Sequence, residues 1–309
     1  MHTALVFGGQ SFLGRWLCHE LRRQGWAVTA TARRVSDGAA VPCDLLDAAR
    51  VAEVVRQQRP NWIFQCGGAT RGEDFRKAFD LHVGGTLNVL EAVRCHAPEA
   101  GVVLLGSAAE YGPAGPADLP LREDHPAVPR SYFGASKAAQ TQVARAAAAE
   151  WGLRILIARP FNVIGPGLPE HYFAAALAAR LRRLAGEGSP CEFPVLNAHA
   201  TRDLIDVRDV AEALVDLVGR AAPAPGGCAI YNISNGIETA LLEMAAELGR
   251  LAGGFVPVPG GVGASRGGAV RSCGDASRLL QAIGWRPRYS WRESLAEMWR
   301  TPDATRRAA

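Results

Sequence analysis

The sequence predicts an α/β protein: a doubly wound parallel sheet followed by a smaller, mostly helical C-terminal region. Three observations predict it. Short apolar runs alternate with helical patterns through the first half of the chain, the first run leads directly into a glycine-rich turn, and the rhythm breaks up beyond residue 162 into helical patterns separated by Pro- and Gly-rich loops. Strands recurring with helices between them require parallel pairing through right-handed crossovers. At 309 residues and 48% apolar content the chain can fill the cores of two intergrown domains.

TALVF (3–7) is a short apolar run bounded by a turn, hence a strand, and a helical pattern follows from Phe12 to Gln24. WAVTAT (26–31), a helix near 46–58 and WIFQ (62–65) complete a βαβαβ series. A long helix is expected through LHVGGTLNVLEAVRCH, then the strand GVVLLG (101–106), a helix around Lys137 to Glu150, and the strand LRILIAR (153–159). The Ala-rich ARAAAAE (144–150) belongs to that helix through propensity and is not low complexity. After RPFNVIGPGLP (159–169), helical patterns occur at 171–185, 207–219, 238–251 and 290–299, between loops such as AAPAPGG (221–227) and GGFVPVPGGVGASRGG (253–268). AIYNIS (229–234) reads as a strand returning to the main sheet. The expected boundaries are therefore 1–162, with segments near 203–235 rejoining it, and 163–309.

Composition excludes several classes of function. The seven cysteines (18, 43, 66, 95, 191, 228, 273) form no Cys-x-x-Cys pair, and the histidines no spaced ligand cluster, so neither disulfides nor a metal are expected. A net charge of +4 without a basic stripe argues against nucleic acid. No apolar run reaches bilayer length, and the opening MHTALVFGGQ lacks a basic leader or cleavage site, so a cytoplasmic protein off the membrane is expected.

FGGQSFLGR (7–15) directly follows the first strand and opens a helix, the context in which a glycine pattern marks a dinucleotide-binding Rossmann turn. Gly8 permits the tight turn, and a small residue at 11, here Ser11, with Gly14 lets a pyrophosphate approach the helix N-terminus. The second strand ends in Ala-Thr-Ala followed by Arg33 and Arg34 where NAD sites carry an acid, which favours NADP(H), since guanidinium forks complement a 2′-phosphate. Asp44 in CDLLD is either a hydrogen-bonding partner of the adenine amine or an N-cap for the next helix.

FGGQSFLG, CDLLD, WIFQCGGAT, LHVGGTLNVLEAV, LLGSAAEYG, the Gly134–Lys137 segment, RPFNVIGPG and TRDLIDVRDV, in that order, resemble the extended short-chain dehydrogenase/reductases along essentially the whole chain. Within that family the similarity is to the nucleotide-sugar group, above all the NDP-4-keto-6-deoxyhexose reductases. The resemblance implies that Phe12, Leu13, Leu45 and Pro160 join Gly8, Ser11, Gly14, Arg33, Arg34 and Asp44 around the cofactor. It also implies that Ser107 polarises a substrate carbonyl and that Lys137 holds the nicotinamide ribose and lowers the pKa of a neighbouring phenol. Asn162, Arg202 and Arg266 match positions near the sugar diphosphate or base, with Thr70, Arg71 and Tyr172 lining the sugar. Arg202 alternatively forms a structural pair with its neighbouring Asp203. The helices near 78–96 and 131–150 resemble those of the family's homodimer interface.

The phenol itself is absent: four residues before Lys137 stands Phe133. Tyr132 is rotated about 100° away by one helical step. Three accounts fit: a Tyr→Phe change introduced into an ordinary reductase, divergence that moves proton donation to Ser107, a water or another tyrosine such as Tyr111, or a protein that binds cofactor without turnover. The acid and base of the family's dehydratases and the cysteine of its epimerase-reductases are replaced by Ala108 and Ala109, and Glu110 is expected to face elsewhere. Keto-group reduction on a nucleotide-linked sugar needs neither, and is the expected reaction. A nucleotide-sugar epimerase and a noncatalytic NADP(H)-binding regulator remain the alternatives.

Overall fold

The computed structural model describes residues 2–34, 40–68, 74–187, 192–261 and 271–301. The chain opens with β1 (Thr3–Phe7), α1 (Phe12–Arg23), β2 (Ala27–Ala32), β3 (Val41–Pro42), α2 (Ala48–Gln58) and β4 (Trp62–Gln65). Next, α3 (Phe75–Phe79) runs through a π-helical turn (Asp80–Gly84) into α4 (Gly85–His96), followed by β5 (Gly101–Leu105), α5 (Tyr132–Trp151) and β6 (Arg154–Pro160). The remainder comprises β7 (Asn162–Ile164), α6 (Phe173–Glu187), β8 (Glu192–Val195), β9 (Thr201–Asp206), α7 (Val207–Arg220) and β10 (Cys228–Ile233). It closes with β11 (Glu238–Ala240), α8 (Leu241–Leu251), β12 (Val256–Pro259), α9 (Ser277–Ile283) and α10 (Trp291–Arg300).

Among the described residues seven strands form one parallel sheet in the order β10-β6-β5-β4-β1-β2-β3, and the order reverses direction at β1. Alternation of side chains along each strand supplies two faces. From β1, Ala4 and Val6 pack with Leu13, Leu17 and Leu21 of α1 and with Val210 and Leu214 of α7. Leu5 and Phe7 point the other way, onto Val51 and Val54 of α2 and Val89 and Leu90 of α4. Both faces are covered, so the strands read as continuous apolar runs.

AIYNIS does return to this sheet, as the edge strand paired to β6. The expected helix around Lys137 starts earlier, at Tyr132, because the Ser131 hydroxyl caps it by accepting from the Gly134 amide at 3.1 Å. The long helix expected through LHVGGTLNVLEAVRCH (81–96) begins in a π turn (Asp80–Gly84), whose extra residue rotates His82 relative to a regular α-helix. The second region holds more than helices. A three-stranded sheet β11-β9-β7 and a two-stranded sheet β12-β8 sit beside α6, α8 and α10, whose apolar faces share a core around Leu177, Leu181, Leu248 and Leu295. These strands are three to six residues long, too short for an alternation signal to emerge from sequence.

One buried ion pair anchors the sheet's carboxyl edge. Beyond β5 the chain makes a 3₁₀ turn (Ala108–Glu110), and the Glu110 carboxylate folds back to accept from the Ser107 amide at 2.8 Å and from the Thr141 hydroxyl of α5 at 2.8 Å. Arg159 of β6 completes it, with Nε at 3.0 Å and Nη2 at 2.8 Å, and both side chains are fully or almost fully buried. Removing one partner of such a pair leaves an uncompensated charge in the interior. Glu110→Ala is therefore expected to lower unfolding stability by about 3–5 kcal/mol, measured by urea denaturation.

Candidate active site

The turn between β1 and α1 is closed to side chains. Gly8 has φ of +76°, and a Cβ there would lie 2.5 Å from the Gly67 nitrogen. A Cβ at Gly14 would lie 2.2 Å from the Gly8 carbonyl oxygen, so α1 can approach the strand end only with glycine at that position. Ser11 caps α1 by accepting from the Gly14 amide at 3.1 Å. The amides of Phe12 and Leu13, which precede the first intrahelical acceptors, are thereby the ones left to meet an anion. Leu45 is buried against Gly67 and Gly85, flanking this turn. Asp44 accepts from the Leu46 amide at 3.0 Å, whereas the N-cap of α2 is Asp47, so the capping alternative for Asp44 gives way. Arg33 and Arg34 follow the last residue of β2 and are exposed. Pro160 is buried at the end of β6. A backbone cradle that a Cβ would fill, a helix N-terminus facing it and a cation nearby fit a dinucleotide.

That cation is Lys137. Its Nζ donates to the Leu105 carbonyl at 2.6 Å and to Gln140 Oε1 at 3.0 Å, leaving one N–H of three. Gln140 in turn donates to Thr86 of α4 at 2.8 Å, and Thr86 to Gln65 at the end of β4 at 3.2 Å. Burial pulls the Lys137 ammonium down to about 8, against the opposing effect of the Glu110 carboxylate. Ser107 begins the 3₁₀ turn two residues after Leu105. Its Oγ accepts from the Ala109 amide at 3.1 Å, which leaves the hydroxyl hydrogen to donate. Helix α5 reaches this turn because Gly134 lacks a side chain: a Cβ would stand 2.3 Å from the Ala109 carbonyl oxygen. Serine and lysine are thus held at one strand end by backbone contact.

Neither candidate tyrosine replaces the phenol. Tyr132 is two-thirds exposed, its ring 5.0 Å from that of Phe75, pointing outward as one helical step dictates. Tyr111 is buried, donates to Asn232 Oδ1 at 2.7 Å, and is pushed up to about 12 by burial, so this alternative is withdrawn. The ring that faces Phe133 is His82, from the π turn, with centroids 5.5 Å apart and planes at 80°. Sequence reasoning weighed the histidines only as metal ligands and missed it. The available signal was a pair of polar residues, His82 and Thr86, four apart on the stripe that carries Val89, Leu90 and Val93 into the core.

On the substrate side, the Asn162 amide donates to the Asp203 carbonyl at 3.2 Å, joining β7 to β9. Arg202 is half-buried on β9 and donates to the Thr201 carbonyl at 2.6 Å. The neighbouring Asp203 carboxylate accepts instead from the amides of Asn235, Gly236 and Gly274, at 2.8, 2.9 and 3.0 Å, which accounts for it without a pair to Arg202. The Tyr172 ring lies 4.3 Å from that of His171. Thr70, Arg71 and Arg266 lie outside the described residues. An open cleft lined by His2, Asn61, Ala97 and Arg154 lies at the amino ends of the strands, away from the carboxyl edge where α/β sheets bind ligands. No helix among the described residues is long and apolar enough to cross a membrane.

A family model described as the NAD dependent epimerase/dehydratase family matches residues 4–234. The chain is 29% identical to dTDP-6-deoxy-L-talose 4-dehydrogenase (NAD(P)(+)) of Kitasatospora kifunensis, over 96% of each chain. It is 30% identical to UDP-glucose 4-epimerase of Azospirillum brasilense, over 95% of this chain and 92% of that one. Among solved structures it is similar to RMD from Pseudomonas aeruginosa complexed with NADPH, with a TM-score of 0.83, 25% identity, and coverage of 97% of this chain and 98% of that one.

The steric account of the cradle predicts that Gly14→Ala forces α1 off the β1 turn. Dinucleotide binding, followed by quenching of tryptophan fluorescence, is expected to weaken at least tenfold, a loss of about 1.4 kcal/mol or more.

Proposed function

The chain belongs to the NAD dependent epimerase/dehydratase family, the extended short-chain dehydrogenase/reductases, and on that premise we propose that it reduces a keto group on a nucleotide-linked 6-deoxysugar with NADPH. The observation that carries this reading is the content of the turn after Ser107. Ala108 and Ala109 offer only methyl groups, and the one carboxylate there, Glu110, is committed to Arg159, Thr141 and the Ser107 amide. Elimination of water or proton abstraction beside a ketone needs a free acid or base. Reduction needs a polarised carbonyl and a proton.

NADPH, when bound, supplies the hydride delivered to the carbonyl carbon. Ser107 donates its remaining hydrogen to the carbonyl oxygen, and Lys137 turns its third N–H and its charge toward the nicotinamide ribose. Gly8, Ser11, Phe12, Leu13 and Gly14 receive the pyrophosphate, with Asp44, Leu45 and Pro160 lining the cofactor. Arg33 and Arg34 take the 2′-phosphate. Asn162, Arg202 and Arg266 bind the sugar diphosphate, and Thr70 and Arg71 border the sugar, in a cleft between residues 1–162 and 163–309. A homodimer built on α4 and α5 accompanies this reading, supported by an exposed aromatic group, Phe75, Phe79 and Tyr132, on the neighbouring surface.

The test is stoichiometry. With a dTDP- or GDP-linked 4-keto-6-deoxyhexose, one NADPH is expected to disappear per alcohol formed, and Phe133→Tyr to turn over at least as fast as the parent. The likeness to a UDP-glucose 4-epimerase supports a second reading, which interconversion of UDP-sugars without net cofactor consumption would establish instead. Cofactor binding with no turnover by either protein leaves the regulator.

Two further outcomes follow. Replacing Arg33 and Arg34 by Ala is expected to cut NADPH affinity by about tenfold or more while sparing NADH, in a comparison of the two dissociation constants. Lys137 is a cation whose pKa is lowered to about 8, so its charge is present below that pH and lost above it. NADPH affinity is therefore expected to fall as pH rises through 8, and Lys137→Met to abolish the pH dependence.

A further inference from the structure

Lys137 stands at one end of a chain of buried polar side chains whose hydrogen bonds can run in one direction only. An ammonium has hydrogens to give and no lone pair to accept with, so the Gln140 atom 3.0 Å from its Nζ is Oε1. The amide nitrogen of Gln140 is then the atom 2.8 Å from Thr86 Oγ1, and it too can only donate. Thr86 accepts from it, which sends the single hydroxyl hydrogen to Gln65 Oε1 at 3.2 Å. There the chain stops: Gln65 Nε2 is buried without a partner among the described residues. Lys137 is 7% exposed and the other three side chains 2% or less, so no solvent replaces a contact that is lost. Apolar side chains of similar shape would fill these places without stranding an amide. What the polar chain achieves lies at its other end, on the ammonium.

We propose that Gln140 and Thr86 are positioning residues for Lys137: by presenting Gln140 Oε1, and never the amide hydrogens, they hold the lysine in its charged form and fix where its third N–H points. Gln65 takes the Thr86 hydrogen, Thr86 therefore takes a Gln140 amide hydrogen, and the Gln140 amide is kept from turning over. With the Leu105 carbonyl at 2.6 Å as the second acceptor, two of the three N–H directions are set, and tetrahedral geometry sets the last. That this last N–H meets the nicotinamide ribose rests on the reductase reading; that the chain acts on Lys137 does not. The titratable groups facing the ammonium from the surrounding elements are Glu110, itself paired to Arg159, Cys66 just beyond β4, and His82 beside Gly68. Glu110 favours the charge, and burial keeps the Cys66 thiol protonated. Burial opposes the charge and pulls the ammonium down to about 8, so its hydrogen-bond acceptors decide how much of it survives near neutral pH.

Lys77 and Lys137 are the only lysines in the chain, so protein labelled with ¹³C-lysine gives one Cε resonance for each, and Lys77→Arg assigns them. In cofactor-free protein the Lys137 resonance is expected to titrate at about 8 in the parent and in Thr86→Ser. In Thr86→Val, which keeps the shape and loses the hydroxyl, it is expected to titrate about one unit lower, because a weakened acceptor disfavours the cation. Gln140→Met is expected to move it at least as far, and carries the test if Thr86→Val does not fold. A parental midpoint in either of these two variants overturns the proposal. An equal shift in Thr86→Ser and Thr86→Val overturns it as well, since Thr86 would then act by packing alone. The second measurement is NADPH affinity against pH, whose fall is expected to begin about one unit lower in Thr86→Val than in the parent. A moved Lys137 resonance with an unmoved binding profile upholds the action of the chain on Lys137 and removes the ribose contact from the reductase reading, so the two failures are told apart. Thermal unfolding of each variant identifies any that has lost its fold.

Discussion

The carboxylate of Glu110 is the point on which the site's geometry turns. It sits in the interior between the end of β5, helix α5 and strand β6, and it is satisfied by one residue from each: the Ser107 amide, the Thr141 hydroxyl and both the Nε and Nη2 of the Arg159 guanidinium. A buried charge tolerates little displacement, since moving any partner exposes it to an apolar surrounding at a cost of several kcal/mol. Ser107 and the helix that carries Phe133, Ser136 and Lys137 are therefore held in register by an interaction that takes no part in the chemistry.

Close backbone contact does the complementary work. Gly134 brings α5 onto the Ala109 carbonyl, and Gly8 and Gly14 bring α1 onto the end of β1. Both contacts lie at the carboxyl edge of the sheet, beside the place where strand order reverses, which is where a crevice opens in a doubly wound fold. The arrangement concentrates donors there: amides of the first turn of α1, one hydroxyl and one ammonium. Lys137 is kept charged near neutrality by Glu110 and kept oriented by Leu105 and Gln140, so its burial lowers its pKa without misplacing it.

The π turn at Asp80–Gly84 sets the bearing of His82. A regular helix through residue 82 would set that side chain on a different bearing, and π turns recur where a helix must aim a functional group. Here the turn presents an imidazole edge to the ring at 133 and locks it through Ser136. An aromatic without a hydroxyl and a buried histidine thus occur as neighbours, beside the buried polar residues Thr86, Ser136 and Gln140.

Much of this was legible in the residues alone. The alternation of apolar runs and helical patterns determined the parallel sheet, and the strand-turn-helix setting of FGGQSFLGR determined the glycine turn, because both depend on local periodicity and on steric limits at single positions. The spacing from Phe133 to Lys137 likewise placed both on one face of one helix. What only the tertiary structure decided was contact between segments distant in sequence: that Tyr111 is committed to Asn232, that Asp203 serves three backbone amides, and that His82 meets Phe133 across two helices. Such contacts are set by packing angles and by one inserted residue in a helix, quantities to which hydrophobic patterns are blind. The same sequence therefore announces its glycine turn plainly and conceals the ring that packs on Phe133.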